Sequence, residues 1–248
     1  MDLKILGSSS AGNCYVFDNG IEALVVECGI KFSDVEKALD FDITRLKGAV
    51  VSHEHGDHAK YVSKFLDARV PVYMSAGTMH KVIKGDYDGF MPFMVENGCM
   101  FNVGGFRVLP FNVQHDAAEP MGFLIYHPET GTTLFATDTY YLQYKFADLN
   151  NILLECNYSL EILDANIESG KLPQKLRDRT IESHCSLDTC REILLNNDLT
   201  RVNNIVLIHL SPSNSNAEQF KNDIASATGK TVYVADKGMK IKFNKSPF

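Results

Sequence analysis

Ser52-His53-Glu54-His55-Gly56-Asp57-His58 decides how the rest of the chain is read. Three histidines and one aspartate fall within the six residues His53–His58, directly after the buried-strand pattern Gly48–Ser52. A strand presents alternate side chains on one side, so His53 and His55 point the same way if the strand geometry continues. Gly56 permits a sharp turn, after which Asp57 and His58 face the same point from the start of a helix. Imidazole and carboxylate together suit Zn²⁺, Fe²⁺ or Mn²⁺.

Outward from that stretch, the 248-residue chain is ordinary for a soluble globular protein, with 45% hydrophobic and 22% charged residues. That composition excludes a disordered chain or a fibre. The length suffices for a sizeable core without disulfides or a structural metal. Apolar runs such as Leu24–Val26 and Ile205–Ile208 are strand-length, far short of the ~20 residues of a membrane-spanning helix, so no membrane partner is expected. Met1-Asp2-Leu3-Lys4 carries neither a basic n-region nor an apolar h-region, which predicts no signal peptide and a cytoplasmic location. The cysteines at 14, 28, 99, 156, 185 and 190 form no CxxC and read as reduced thiols. With 24 Lys+Arg against 31 Asp+Glu, a net charge of −7 excludes a surface that is basic throughout, though not a local basic groove.

The first 30 residues read as short strands, Leu3–Leu6, Cys14–Phe17 and Ala23–Glu27. Ser33 with Glu36 reads as a capping box opening a helix. Residues 59–67 and 75–83 read as helices around a strand at 70–74. Strands are expected at Phe106–Val113, Gly122–Tyr126, Thr132–Ala136, Ile152–Glu155 and Val202–Leu210, with two short ones at 231–235 and 239–243. Helices are expected at Ser159–Glu168, Ser186–Asn196 and Asn216–Ala227, with a polar stretch over 169–182. Two batches of strands, each followed by helices, favour α/β or α+β layers.

The HxHxDH pattern resembles the central signature of the metallo-β-lactamase-fold superfamily of metal-dependent hydrolases. That resemblance asks for a later His, an Asp and a last His at strand ends, and His115, Asp138 and His209 supply them in order. It implies a four-layer αββα sandwich, two mixed β-sheets with helices on the outer faces, as one domain over residues 1–248. It further implies two divalent metal ions per chain, zinc first with manganese or iron as alternatives. His53, His55 and His115 would hold one, Asp57, His58 and His209 the other, and Asp138 would bridge them. A hydroxide between two such cations is a nucleophile at neutral pH. The family normally has Asp after the early strand where this chain has Glu27, and the extra methylene alters how the ligands are oriented.

Four further stretches resemble the YycJ-like (WalJ-like) branch, which is related to tRNase Z and includes DNA exonucleases. They are the Ser/Gly-rich Gly7–Cys14, His115-Asp116-Ala117 with Pro120-Met121-Gly122-Phe123, Leu154-Glu155-Cys156-Asn157-Tyr158, and the pair Ser183-His184-Cys185-Ser186 and His209-Leu210-Ser211 with Asn214. Tyr158 replaces the branch's His. The resemblance places Asp57 and His184 in the catalytic set, His184 stabilising the transition state or protonating the leaving oxygen. The bland alternative is a structural hydrogen bond at a helix start, and Ser186 as a helix cap suits either. The basic run Lys171–Arg179 holds a phosphate backbone or is a solvated face. The Gly7–Asn13 loop offers backbone N–H groups to an anion or makes ordinary turns. Tyr140 and Tyr141 stack on a base or pack at a rim.

Three functions compete. A dinuclear phosphodiesterase with nucleic acid as substrate, digesting DNA from an end, leads. A hydrolase of a small ester, thioester, lactam or cyclic phosphodiester is favoured by the pI of 5.6. A diiron redox or sensory protein fits least, because Glu54 sits at a spacer position and no flavin domain follows. The charge of −7 argues against a long DNA footprint rather than against phosphodiester chemistry, since two cations reverse the local sign.

Overall fold

Alternation within single strands sets the layering. In the computed structural model, which describes residues 1–85 and 89–247, the strand Cys14–Asp18 is buried along its whole length. Its Tyr15 and Phe17 enter one apolar cluster and its Cys14 and Val16 another on the opposite face. A strand apolar on both faces must be covered on both, so a second sheet lies on one side and helices on the other.

The first sheet contains β1 (Asp2–Gly7), β2 (Cys14–Asp18), β3 (Ala23–Val26), β4 (Leu46–Val50), β5 (Val72–Met74), β6 (Phe93–Met94) and β14 (Lys240–Lys242), in the order β14-β1-β2-β3-β4-β5-β6. The second contains β7 (Phe101–Val103), β8 (Phe106–Asn112), β9 (Met121–His127), β10 (Gly131–Ala136), β11 (Leu149–Glu155), β12 (Asn204–Ile208) and β13 (Thr231–Val234), in the order β13-β12-β11-β10-β9-β8-β7. Both are mixed: β3 to β6 and β10 to β13 run parallel, the rest antiparallel. Leu3, Ile5, Tyr15 and Phe17 meet Phe106, Phe123, Ile125 and Phe135 between the sheets.

Helices α1 (Phe32–Ala38), α2 (Gly56–Ala59), α3 (Val62–Asp67) and α4 (Ala76–Val82) follow strands of the first sheet, and α1, α3 and α4 pack on its outer face. Of α5 (Leu160–Glu168), α6 (Gln174–Ser183), α7 (Leu187–Leu195) and α8 (Ala217–Thr228), the last two cover the second sheet through Cys190, Ile193, Phe220 and Ile224. This is the expected four-layer αββα sandwich of the metallo-β-lactamase fold. The parallel strands end at one edge of both sheets, where loops gather.

Three local expectations are corrected, and two short strands were not anticipated. Helix α1 begins at Phe32 after Lys31 with no side-chain cap, so Ser33 lies inside the first turn and makes no capping box. The helix expected over 59–67 is two pieces broken at Lys60 and Tyr61. The polar stretch 169–182 contains α6, whose buried Thr180 and Ser183 give only a weak apolar stripe. The edge strands β6 and β7 are two and three residues long, too short for a period to register. All six cysteines are unpaired. Among the described residues no helix is long and apolar enough to cross a membrane.

Candidate metal centre

The strand β4 stops at Val50, so His53 and His55 stand on a loop rather than on continued strand. Their rings nevertheless converge, with centroids 4.8 Å apart. His55 is extended (φ −59°, ψ 148°) just before Gly56 opens α2, which swings Asp57 and His58 back toward the same point. Three other contributors follow strand ends in the left-handed region: Glu27 after β3 (φ 72°), Asp138 after β10 (φ 46°) and His209 after β12 (φ 55°). Such backbone costs of order 1–3 kcal/mol at a residue other than glycine, and its concentration here marks a place where aim outranks comfort.

Asp138 lies at the middle. Its Oδ2 is 3.2 Å from His53 Nε2, 3.0 Å from His58 Nε2 and 3.7 Å from His115 Nε2, and its Oδ1 is 3.2 Å from His209 Nδ1. Asp57 Oδ2 lies 3.0 Å from His209 Nε2 and 3.2 Å from His58 Nε2. Within each of three overlapping groups, the ligand-type atoms lie within 4.8 Å of one another: His53, His55, His115 and Asp138; Asp57, His58, Asp138 and His209; and Asp138, Glu155, His184 and His209. All seven residues expected as ligands are therefore brought together.

Outer contacts settle which nitrogen faces inward. His115 Nδ1 donates to the Ser183 carbonyl at 3.0 Å, leaving Nε2 with its lone pair toward the centre. Ser52 Oγ hydrogen-bonds His53 Nδ1 at 2.8 Å and so turns the ring's Nε2 toward the centre. His53 Nε2, His58 Nδ1 and Glu27 Oε1 are buried without a hydrogen-bond partner. Buried polar atoms left this way are costly unless something else satisfies them, and a divalent cation matches His53 Nε2 in position and charge. Glu27 Oε2 sits 3.5 Å from His58 Nδ1, so the longer side chain still reaches its histidine but without bonding it.

The protonation pattern points the same way. Burial pushes His115 down to about 4 and lowers His53, so both rings are neutral lone-pair donors. For His209 and His58 burial acts downward too, but Asp138 and the other carboxylates outweigh it, raising His58 well above its usual value and His209 to about 9. Burial opposes ionisation of Asp57 and Asp138, yet the neighbouring imidazoles hold both far below the usual carboxylate range. Carboxylates that draw protons onto buried imidazoles call for positive charge, which a cation supplies in place of the protons. The residues present fit a divalent metal site.

His184 differs from the other histidines. Its Nδ1 donates to the fully buried Glu155 Oε1 at 2.7 Å, and its side chain is 24% exposed where those of His53, His58, His115 and His209 are at most 3%. Burial would lower it, but Glu155 and Asp138 push it up to about 10. It ends α6 and faces a cleft of about 410 Å³ shared with His55, Asp57, His115, Asp138 and His209. Arg179 and Leu176 of α6 line the same cleft, so the basic run does flank His184, although Arg177 is spent on Asp164 at 2.6 Å. Ser186 caps α7 by accepting from the Thr189 N–H.

The Gly7–Asn13 loop braces rather than cradles. The N–H groups of Ala11, Gly12 and Asn13 go to Ser9 Oγ, the Ser9 carbonyl and the Asp57 carbonyl. Ser8 Oγ accepts from the His209 N–H at 2.9 Å. Tyr140 and Tyr141 are exposed and line no part of the cleft. Sequence reasoning gave no role to Asn13, whose Nδ2 lies 3.3 Å from Asp57 Oδ2 and 3.1 Å from His58 Nε2. Nor did it give one to Glu155, or to Asn157, which donates to the His209 carbonyl at 2.7 Å. The signal was their place inside the stretches that resemble the YycJ-like branch.

Known proteins place this geometry. The chain is 26% identical over 232 residues to the exodeoxyribonuclease YycJ of Bacillus anthracis, covering 88% of this chain and 85% of the relative. Its fold matches the metallo-β-lactamase-fold protein YhfI of Bacillus subtilis with a TM-score of 0.72 at 15% identity, over 97% of this chain and 98% of that one. It also matches the short form of human tRNase Z with a TM-score of 0.62 at 14% identity, over 98% and 99%. The family model of the β-lactamase superfamily domain covers residues 24–210, and with it the ligand cluster from His53 to His209; the chain belongs to that superfamily and is a hydrolase of the metallo-β-lactamase fold.

Proposed function

We propose that the chain is a dinuclear metal-dependent phosphodiesterase that removes nucleotides from the end of DNA. In this reading His53, His55 and His115 hold one divalent cation, Asp57, His58 and His209 hold a second, and Asp138 is shared. Zinc is the first candidate, manganese or iron the alternatives. Bound there, divalent cations supply Lewis acidity toward a phosphoryl oxygen and lower the pKa of water.

The chain's own residues do the rest. Asp57, ionised and a fifth exposed at the cleft, orients the attacking water by accepting its hydrogen bond. His184, held at Nδ1 by Glu155 and protonated at neutral pH, turns its other nitrogen to the departing oxygen and protonates it. Arg179 lies on the same wall with its side chain 67% exposed; its surface ion pair with Asp116 at 3.6 Å is one a substrate phosphate would compete for. The observation that carries the reading is the His184–Glu155 pair: a proton donor beside the ligand cluster, on the cleft rather than inside it. The relative named an exodeoxyribonuclease supports DNA as the polymer. The competing substrate, a small ester or cyclic phosphodiester, is favoured by the acidic pI of 5.6.

The test is a low-salt panel with metal-loaded protein: end-labelled single- and double-stranded DNA, RNA, and bis-p-nitrophenyl phosphate. Stepwise shortening of DNA is expected. Hydrolysis of the reporter with every polynucleotide left intact would replace the nuclease reading by the small-substrate one.

A further inference from the structure

A strand end seated at the metal centre must leave the cleft somewhere, and two neighbouring grooves adjoin it. One, of about 690 Å³, is reached past Leu210 and Ser211 and carries Lys221 against Glu218 and Asp236. The other, of about 400 Å³, is reached past Gly56 and carries, among the described residues, Lys60, Lys81 and Lys84 against Glu54. Glu54 is already committed, its Oε1 accepting from the Ala118 N–H at 2.8 Å. Among the described residues the three lysines make no ion pair, whereas Lys37 and Lys64 pair with Asp34 and Asp67. Lys60 ends α2 and Lys81 lies in the last turn of α4, where a helix's negative end favours a cation. That accounts for two of the three positions but not for the convergence of all three lysines beside Gly56.

The geometry points to this lysine groove as the track for the phosphodiester backbone of the substrate strand beyond the scissile bond. The inference rests on the nuclease reading and adds where the polymer runs. A backbone with one negative charge per nucleotide is repelled by the acidic groove past Ser211 and held by the lysine groove past Gly56. It also locates a local basic surface on an acidic chain: three cations in a groove that shares Gly56 with the metal-centre cleft. Lysine suits the task, because it holds phosphates as point charges without reading sequence.

The test measures binding of hydrolysis-resistant phosphorothioate DNA by the metal-loaded protein, comparing a dinucleotide with a dodecanucleotide. The unaltered chain should bind the longer one at least about tenfold more tightly at low salt. The triple variant Lys60→Ala, Lys81→Ala, Lys84→Ala, with an unchanged circular dichroism spectrum, should lose that gap. Its slope of log Kd against log salt should fall by about 2, three phosphates at roughly 0.7 each on a single strand. Lys221→Ala, in the other groove, should keep the gap. A triple variant that keeps the gap, or a Lys221 variant that loses it, overturns the lysine track while leaving the nuclease reading standing. If the unaltered chain hydrolyses bis-p-nitrophenyl phosphate but binds no oligonucleotide, the nuclease reading itself falls, and the track with it.

Discussion

The two ends of the β-sandwich carry the same kinds of charged side chain and use them in opposite ways. At the end where β2 stops, charges pair off. Asp18 accepts from Lys4 at 2.8 Å and lies 3.4 Å from Arg45, the N-terminal ammonium donates to Glu129 at 2.8 Å, and Glu22 meets His127 at 3.1 Å. At the end where β10 and β12 stop, four carboxylates crowd six imidazoles, and His53 Nε2 and His58 Nδ1 are buried with no hydrogen-bond partner. Paired charge holds a fold. Buried polar atoms left without a hydrogen-bond partner are kept for something the chain does not itself supply.

The largest break in that contrast comes from Asp138, the carboxylate common to every group of ligand atoms. Asp138→Ala should lose bound metal, read by inductively coupled plasma mass spectrometry, and lose roughly 10³-fold or more in rate, the several kcal/mol that positioned cations contribute. Full occupancy in this variant would sink the two-cation assignment.

His184→Ala comes next, with an expected rate loss of about 10² to 10⁴-fold at unchanged metal content. Its membership of a group with Asp138, Glu155 and His209 makes the metal measurement decisive. If metal falls with the imidazole, His184 is a ligand rather than the proton donor. Glu155→Gln should mimic much of the loss, since it removes the charge that keeps His184 protonated.

The same contrast explains what could be read without coordinates. Half the centre was legible because it is contiguous: His53, His55, Asp57 and His58 occupy one loop and one turn, so spacing alone implied convergence. His115, Asp138 and His209 are single residues at the ends of three strands, and only the fold resemblance gave them a common address. Asn13 and Glu155 face the centre from residues that spacing does not connect to it, and no periodicity marks them. The helix α6 was missed for a different reason: it buries little, so the hydrophobic pattern that announces α7 and α8 is missing from its sequence. Ser33 misled because a capping box is a local signal, and the chain entered α1 two residues too early for it to operate.

A smaller effect tests the paired end. Burial alone would raise the Asp18 carboxyl, but Lys4, the Gly20 N–H and Arg45 outweigh it and hold it below its usual value. A carboxylate with a depressed folded pKa contributes stability above the ordinary carboxylate range, and that contribution is lost as pH falls through the folded value. Asp18→Asn should therefore cost about 2 kcal/mol in urea denaturation at neutral pH, the penalty of leaving Lys4 with the Ala38 carbonyl but no counter-charge, and progressively less in acid. The increment should be equal in metal-loaded and metal-free protein, because sites at opposite ends add. An increment that changes with metal would mean the two ends are coupled.

The smallest effect separates holding the fold from holding His184, the proposed proton donor. Ser186 accepts from the Thr189 N–H at 3.1 Å and so caps α7, two residues beyond His184. Ser186→Ala should lower stability by about 1 kcal/mol, whereas Ser33→Ala, which removes no cap, should stay within about 0.5 kcal/mol. His184 is fixed by Glu155 and by its backbone N–H to the Thr180 carbonyl, not by the cap. The rate of the Ser186 variant should therefore remain within about twofold of the unaltered chain, a shift under half a kcal/mol. A larger loss would show that the start of α7 helps aim His184, and that the proton donor depends on the second sheet's helices as well as on its strand ends.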